Sequence, residues 1–255
     1  MIRALVAAIV LLGFGAAKLR FEQRLTEEHR AACFHGAKLN LDLRQQIGQL
    51  GFIAALSGFR SLVADMLWIN AHSAWERTEW GRMVLLFNNV TALQPRNVMF
   101  WDMAGWHMAW NASVAAMQDP KQPREALRLK AQREYFQIGR DFYERGIANN
   151  PDKYLLHDRL ALLLREKFGD HCGAAREYDL AAQLPHAMEY EYRFASYELS
   201  YCAGREREAY ERLLALYQKG EKEWLPTLLK RLQFLQEKLN VPAEQRVYIP
   251  PDQHL

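Results

Sequence analysis

The side chains able to do chemistry are few in this chain, and none of them falls into a catalytic pattern. Asp170, His171 and Cys172 are adjacent. Neighbouring side chains point in different directions, so a nucleophile and its base cannot meet this way. Asp170, just ahead of a helical run, reads instead as a helix cap. The three cysteines, Cys33, Cys172 and Cys202, form no C-x-x-C pair, which argues against a structural zinc site and a thioredoxin-like redox motif. An odd number cannot pair completely, so a disulfide scaffold is not expected; a Cys172–Cys202 bond depends on geometry. His107 and Asn111 are four apart, on one helical face, and His72 could approach them. A metal needs three or four convergent ligands, and no H-E-x-x-H or comparable set occurs, so no metal site is expected. Phosphate loops, nucleophile elbows and paired-carboxylate motifs are absent as well. The expectation is a protein without enzymatic activity or a small-molecule cofactor. Asn89-Val-Thr91 and Asn111-Ala-Ser113 match the glycosylation pattern but fall inside predicted helices and are discounted.

What the chain does offer is aromatic surface. Trp68, Trp75, Trp101, Trp106 and Trp110 crowd one stretch. Such residues are either binding anchors, which bury much area at little entropic cost, or core packing at helical spacing. Arg60 and Asp65 interrupt the apolar run GFRSLVADMLW. Five residues apart, they lie on different helix faces, and a charge on a buried face needs a partner from another element.

The elements that must position these residues are helical. The 255 residues are 50% hydrophobic and 25% charged, enough for a sizeable core. The net charge of +3 is small and its signs are interspersed, so no nucleic-acid partner is expected. Arg3 precedes an apolar run, Ala4 to Ala17, that ends at Lys18 and Arg20. Residues 1–20 therefore read as a membrane anchor or a secretory signal. An uncleaved single-pass inner-membrane anchor with a periplasmic body is the favoured reading, although the charges after the run argue for the opposite orientation. Beyond residue 40 the apolar residues recur at three- and four-residue steps, broken by glycines and prolines.

That punctuation repeats. Pro151 and Pro185 are 34 residues apart, and so are Ala161/Ala195, Ala175/Ala209, Leu180/Leu214, Ala181/Ala215 and Ala71/Gly105. Gly105, Ala161 and Ala195 each lie ten residues after a proline. A 34-residue stride with small residues and a closing proline is the pattern of a helix–turn–helix repeat. The small residue lets two helices cross closely, and the proline ends the second helix.

On these residues the chain resembles the tetratricopeptide repeat family over roughly 60–220. The blocks DKYLLHDRLALLLREKFGDHCGAAREYDLAAQLPH and MEYEYRFASYELSYCAGREREAYERLLALYQKG carry the resemblance best, with SLVADMLWINAHSAWERTEWGRMVLLFNNVTALQPRN before them. Together with QPRNVMFWDMAGWHMAWN, the block GFRSLVADMLWINA also resembles bacterial membrane-anchored tetratricopeptide proteins. The resemblance implies an all-α fold, a right-handed superhelix of stacked helix hairpins behind an N-terminal transmembrane or signal helix. Residues 21–58 become a helical linker or cap, with a helix over Leu39–Leu56, and 59–220 an array of about four units. One unit is displaced: Pro95 and Pro151 are 56 apart, one period plus 22 residues, giving an insertion near 112–133 that contains the loop QDPKQPR. Its second helix is expected at EYFQIGRDFYERGIANNP. A capping helix is expected over 221–239 and an extended tail over 240–255.

In that family the first helices of successive units line a groove that binds peptides or partner helices. The alignment places Trp68, His72, Trp75, Asp102, Trp106, Trp110, Asp158, Arg165 and Tyr192 on it; the tryptophans could equally pack the array against Leu39–Leu56 or the insertion. The expected function is a membrane-tethered scaffold or adaptor for a protein or peptide partner in a cell-envelope complex. The alternatives are a structural subunit of an envelope transport or pilus-like assembly, and an enzyme acting on cell-wall glycans, for which Glu76, Asp102 and Asp158 would be the acids.

Overall fold

The computed structural model describes residues 58–249. The anchor segment 1–20, the helix expected over Leu39–Leu56, Cys33 and the last residues of the tail lie outside them. The described residues are all-helical, with no strand among them. The helices are α1 (Arg60–Glu76), α2 (Trp80–Leu93), α3, α4 (Glu125–Asn149), α5, α6 (His171–Ala182), α7 (Tyr190–Leu199), α8 (Glu206–Gln218) and α9 (Pro226–Lys238). α3 starts at Val98–Trp106 and continues through a π-helical stretch, His107–Ala112, into Ser113–Met117; α5 runs Tyr154–Leu163 and ends in a second π-helical stretch, Leu164–Phe168. Among the described residues, no helix is long and apolar enough to cross a membrane.

Short connections force successive helices side by side. Each helix packs mainly on its neighbours in the chain, α1 with α2, α3 with α4, α5 with α6 and α7 with α8, and first helices also meet directly, α3 with α5 and α7 with α9. No single centre results. One band of buried side chains runs from Ala71 and Phe87 through Trp101, Phe142, Leu156 and Tyr178 to Ala195. A second runs from Ala175 through Tyr197 and Leu213 to Leu232. The two overlap at α6 and α7, so every hairpin covers the apolar side of the one before, as in a quasi-one-dimensional array.

The repeating small residues sit where the stride places them: Ala71, Gly105, Ala161 and Ala195 are all buried. Gly105 shows why the position must be small, because a Cβ there would lie 2.5 Å from the Tyr143 ring on α4. Gly139 and Gly146 on α4 are as tight against Ala109 and Trp101 of α3. Gly105→Ala is therefore expected to cost about 1–3 kcal/mol of overpacking, reduced by the ~1 kcal/mol that alanine gains in a helix. Gly81→Ala in α2, with nothing within 4 Å of its Cβ, should instead stabilise by about 0.5–1 kcal/mol. Urea unfolding of the two variants checks the opposite signs.

The prolines close the units as expected, and one turn is reinforced. The carbonyl of Pro95 accepts from Trp101 Nε1 at 2.8 Å and from buried Asn150 Nδ2 at 2.9 Å, joining the end of the first hairpin to the end of the second. Between α5 and α6, Gly169 takes the left-handed conformation (φ 64°), which ends α5, and Asp170 Oδ1 accepts from Gly173 N at 2.8 Å to cap α6.

Four expectations change. The expected loop Gln118–Arg124 lies between two helices, but the second helix starts earlier than expected and the rest of the insertion is helical. Residues 125–133, EALRLKAQR, are strong helix formers, so α4 starts at Glu125, and the extra length extends both α3 and α4 around the turn at Gln118–Arg124. The final helix starts at Pro226 rather than Glu221, since proline fits the first turn of a helix but not its interior; a 3-10 turn, Glu221–Glu223, precedes it. Its stripe Leu228, Leu229, Leu232 and Leu235 is buried against α8 and α7. The start of the tail folds back: Val241 is buried, Gln236 Oε1 accepts from Val247 N at 2.7 Å, and the Tyr217 hydroxyl donates to the Tyr248 carbonyl at 2.6 Å. Asp65, expected to seek a buried partner, is exposed and needs none.

Candidate functional site

Side chains from the first helices of consecutive hairpins make an aromatic surface. From α1 come His72 and Trp75, with ring centroids 5.2 Å apart. From α3 come Trp106 and His107, 5.0 Å apart. His107 joins the two sets, its ring 5.8 Å from Trp75 and, on the inner side, 5.8 Å from Phe87. Trp75 and Trp106 remain 37% and 41% exposed, uncommon for tryptophan with a core available. His72 is exposed and lies 3.6 Å from Glu76 one turn on.

His107 is buried, and burial, helped by the nearby His72, lowers its pKa to about 4. It is therefore neutral at pH 7. Asn111 Nδ2 lies 3.0 Å from its Nδ1. With the amide donating, Nδ1 accepts and the ring proton sits on Nε2. The same residues begin the π-helical stretch of α3, a distortion often found at functional positions.

One turn before Trp106 stands Asp102, where the surface turns polar. Arg159 of α5 donates from Nε to Asp102 Oδ1 at 3.2 Å and from Nη1 to Asp158 Oδ2 at 2.9 Å. Burial raises the pKa of both acids against the opposing pull of Arg159. Beyond them Glu191 of α7 is fully buried, and neither carboxylate oxygen has a hydrogen-bond partner at ordinary geometry. Burial first, and the charge of Asp158 second, raise its pKa from 4.5 to about 7.

A third group lies at the other end of α7. Buried Glu198 lies 2.6 Å from His171 Nδ1 and 3.7 Å from Arg165 Nη1. His171 stacks on Tyr201 at 4.6 Å, and Arg231 of α9 covers that ring at 3.9 Å. Beside them Cys172 and Cys202 form a disulfide, with Cα atoms 5.4 Å apart.

The sequence candidates thus separate. His72, Trp75 and Trp106 share one surface. Asp102 and Asp158 meet through Arg159, and Arg165 belongs to the Glu198 group. Trp68 is not on the groove: it packs 5.6 Å from Phe87 and 5.2 Å from Phe100. Trp110 is half-buried against the core, with Lys167 over its ring at 5.2 Å. Tyr192 faces the other way, its ring near Arg212 and Lys219 of the following helix at 5.9 and 5.8 Å. Position three before the small residue therefore does not have one environment in all units, although the two residues lie in regular α-helix in each; what covers it is set by the neighbouring helices.

Arg159 and Glu191 were missed by the sequence reading. A signal for Glu191 existed. It lies four before Ala195, as Trp101 and His157 lie four before Gly105 and Ala161, and all three are buried. The His157 ring meets Glu177, Nδ1 to Oε2 at 2.8 Å; Glu191 has no such answer. Among the described residues no group of three His, Cys, Asp or Glu side chains is placed to hold a metal ion.

No family model matches the sequence, and the comparison with curated proteins finds no match. Among solved structures, one titled "Crystal structure of MamA protein" aligns at 16% identity with a TM-score of 0.26, over 74% of this chain and 98% of that one. A likeness that loose carries neither fold nor function across.

Proposed function

We propose that this protein is a membrane-tethered scaffold of the tetratricopeptide type, which receives an apolar segment of a protein partner on the surface of His72, Trp75, Trp106 and His107. The observation that carries the reading is the pair of exposed tryptophans on the first helices of adjacent hairpins, set on a buried, neutral imidazole. Rigid aromatic faces held from below bind with little loss of side-chain entropy. A neutral His107 adds no desolvation cost of a charge when a partner covers it. The tether rests on the apolar run Ala4 to Ala17. An exported body is supported by the Cys172–Cys202 bond, since disulfides persist in oxidising compartments and are rare in the reducing cytosol.

In a binding assay with the protein that co-purifies from mild-detergent membranes, Trp75→Ala with Trp106→Ala is expected to weaken affinity by about 30-fold or more, the range of hot-spot anchors. Leu85→Ala, more exposed than either tryptophan but on α2, should change it less than about twofold. Equal effects at both places, or none, would refute the assignment of this surface.

A further inference from the structure

Glu191 is the acidic side chain on α7 whose burial is not matched by contacts. Both its oxygens are sealed from solvent and meet no hydrogen-bond partner at ordinary geometry, the Tyr190 hydroxyl of the same helix being the donor nearby. It stands in the first turn of α7, where the helix N-terminus favours an anion. The surroundings oppose that preference. From α5, Asp158 is an anion beside it, itself only 5% exposed, and the cation nearby, Arg159, is shared between Asp158 and Asp102 of α3. Arg165, also on α5, is held by Glu166 and Glu198. The remaining titratable neighbours are neutral phenols, Tyr190 on α7 itself, Tyr154 on α5 and Tyr178 on α6, of which Tyr190 stands close enough to favour the anion slightly. An ionised Glu191 would be a second buried anion facing Asp158 with no free cation to offset it.

The two ends of α7 are held differently. Its C-terminal end is fixed covalently by Cys202 to Cys172 at the start of α6, and again by Glu198 on His171 and by Ser200 Oγ, which accepts from Arg231 Nε at 2.7 Å. Its N-terminal end follows the connection 183–189, where His186 takes a left-handed backbone (φ 61°), packs mainly on α6, and buries the carboxyl of Glu191.

We propose that Glu191, with the charge of Asp158 nearby, is a proton-binding site that latches the N-terminal end of α7 in place, and that release of the proton frees this end as a hinge about the disulfide-fixed C-terminal end. The proton lets one carboxyl stay neutral next to the other, as two carboxyls in one dry site require. When it leaves, the repulsion is relieved most cheaply by moving the start of α7 outward, because the far end is covalently restrained. The site needs no partner and does not depend on the aromatic surface.

Amide hydrogen exchange on the full oxidised chain tests this. After correction for the intrinsic pH dependence of exchange, residues 188–195 should lose protection about tenfold between pH 6 and pH 8. Residues 171–182 and 199–202 should keep theirs. In Glu191→Gln the loss should disappear. Unchanged protection of 188–195 in the wild type, or the same loss in Glu191→Gln, would overturn the proposal. A measurement on the unmutated protein guards against a variant that fails to fold: infrared spectra should show a protonated-carboxyl band at pH 6 that disappears by pH 8. A spectrum with no such band at pH 6 would overturn the proposal as well.

Discussion

Reducing the bond between Cys172 and Cys202, or replacing Cys202 by serine, is expected to lower the unfolding free energy by about 3–4 kcal/mol. The figure follows from the sequence separation of 30 residues, since a cross-link removes loop-closure entropy from the unfolded chain according to the length it closes. The Cα separation of 5.4 Å lies in the ordinary disulfide range. The bond joins the first turn of α6 to the chain just past α7, two helices from neighbouring hairpins. Its loss therefore weakens the junction between the third and fourth units rather than a loop. Denaturant titrations with and without reductant measure the effect, and Cys202→Ser should be insensitive to reductant. An identical midpoint in both conditions would mean that the two sulfurs are not joined in solution.

The second large effect depends on pH. Glu191 titrates near 7 in the folded protein against 4.5 ordinarily. A folded pKa above the unfolded one means that the native state holds its proton more tightly. That contribution is fully present below about pH 4.5 and is lost as pH rises to about 7. At roughly 1.4 kcal/mol per pKa unit, Glu191→Gln, neutral at every pH, should be about as stable as wild type at pH 4.5 and about 3 kcal/mol more stable at pH 8. His107 works with the opposite sign. Its folded pKa near 4 lies below the ordinary 6.5, so its contribution is present above 6.5 and is lost as pH falls to 4. The two slopes oppose each other, and the wild-type stability curve should be correspondingly shallow between them. The difference between wild type and Glu191→Gln isolates the carboxyl. A difference that does not grow with pH would show that Glu191 is ionised in the folded state.

The fold was legible because its rules act locally. Prolines 95, 151 and 185 end helices wherever they occur, and a small residue ten positions later marks a helix crossing whatever surrounds it. The close approach of Tyr143 to Gly105 is the physical content of that pattern. Asp170 as a cap could also be read from its place ahead of the helix. The displaced unit was read less well, because a 22-residue excess says how much chain is added and not whether it loops out or lengthens two helices. Of the candidate site, the types were legible and the directions were not. A register counted from small residues assumes an unbroken α-helix, whereas α3 and α5 both pass into π-helical geometry, which rotates every later side chain. That is why Trp106 is exposed beside His107 while Trp110, four residues on, packs beneath Lys167. Tyr192 follows from the register counted from Ala195, whereas a glutamate one position earlier raises no expectation of burial unless the buried positions of the other units are compared with it.

The tryptophan-bearing face of the first two hairpins is proposed to receive a protein. A photoreactive phenylalanine analogue placed in turn at positions 75, 106, 85 and 192 of the full chain, in intact cells, tests it most directly. One discrete protein adduct is expected from 75 and 106 and none from 85 or 192. No adduct at 75 and 106, or the same adduct from all four positions, would contradict it.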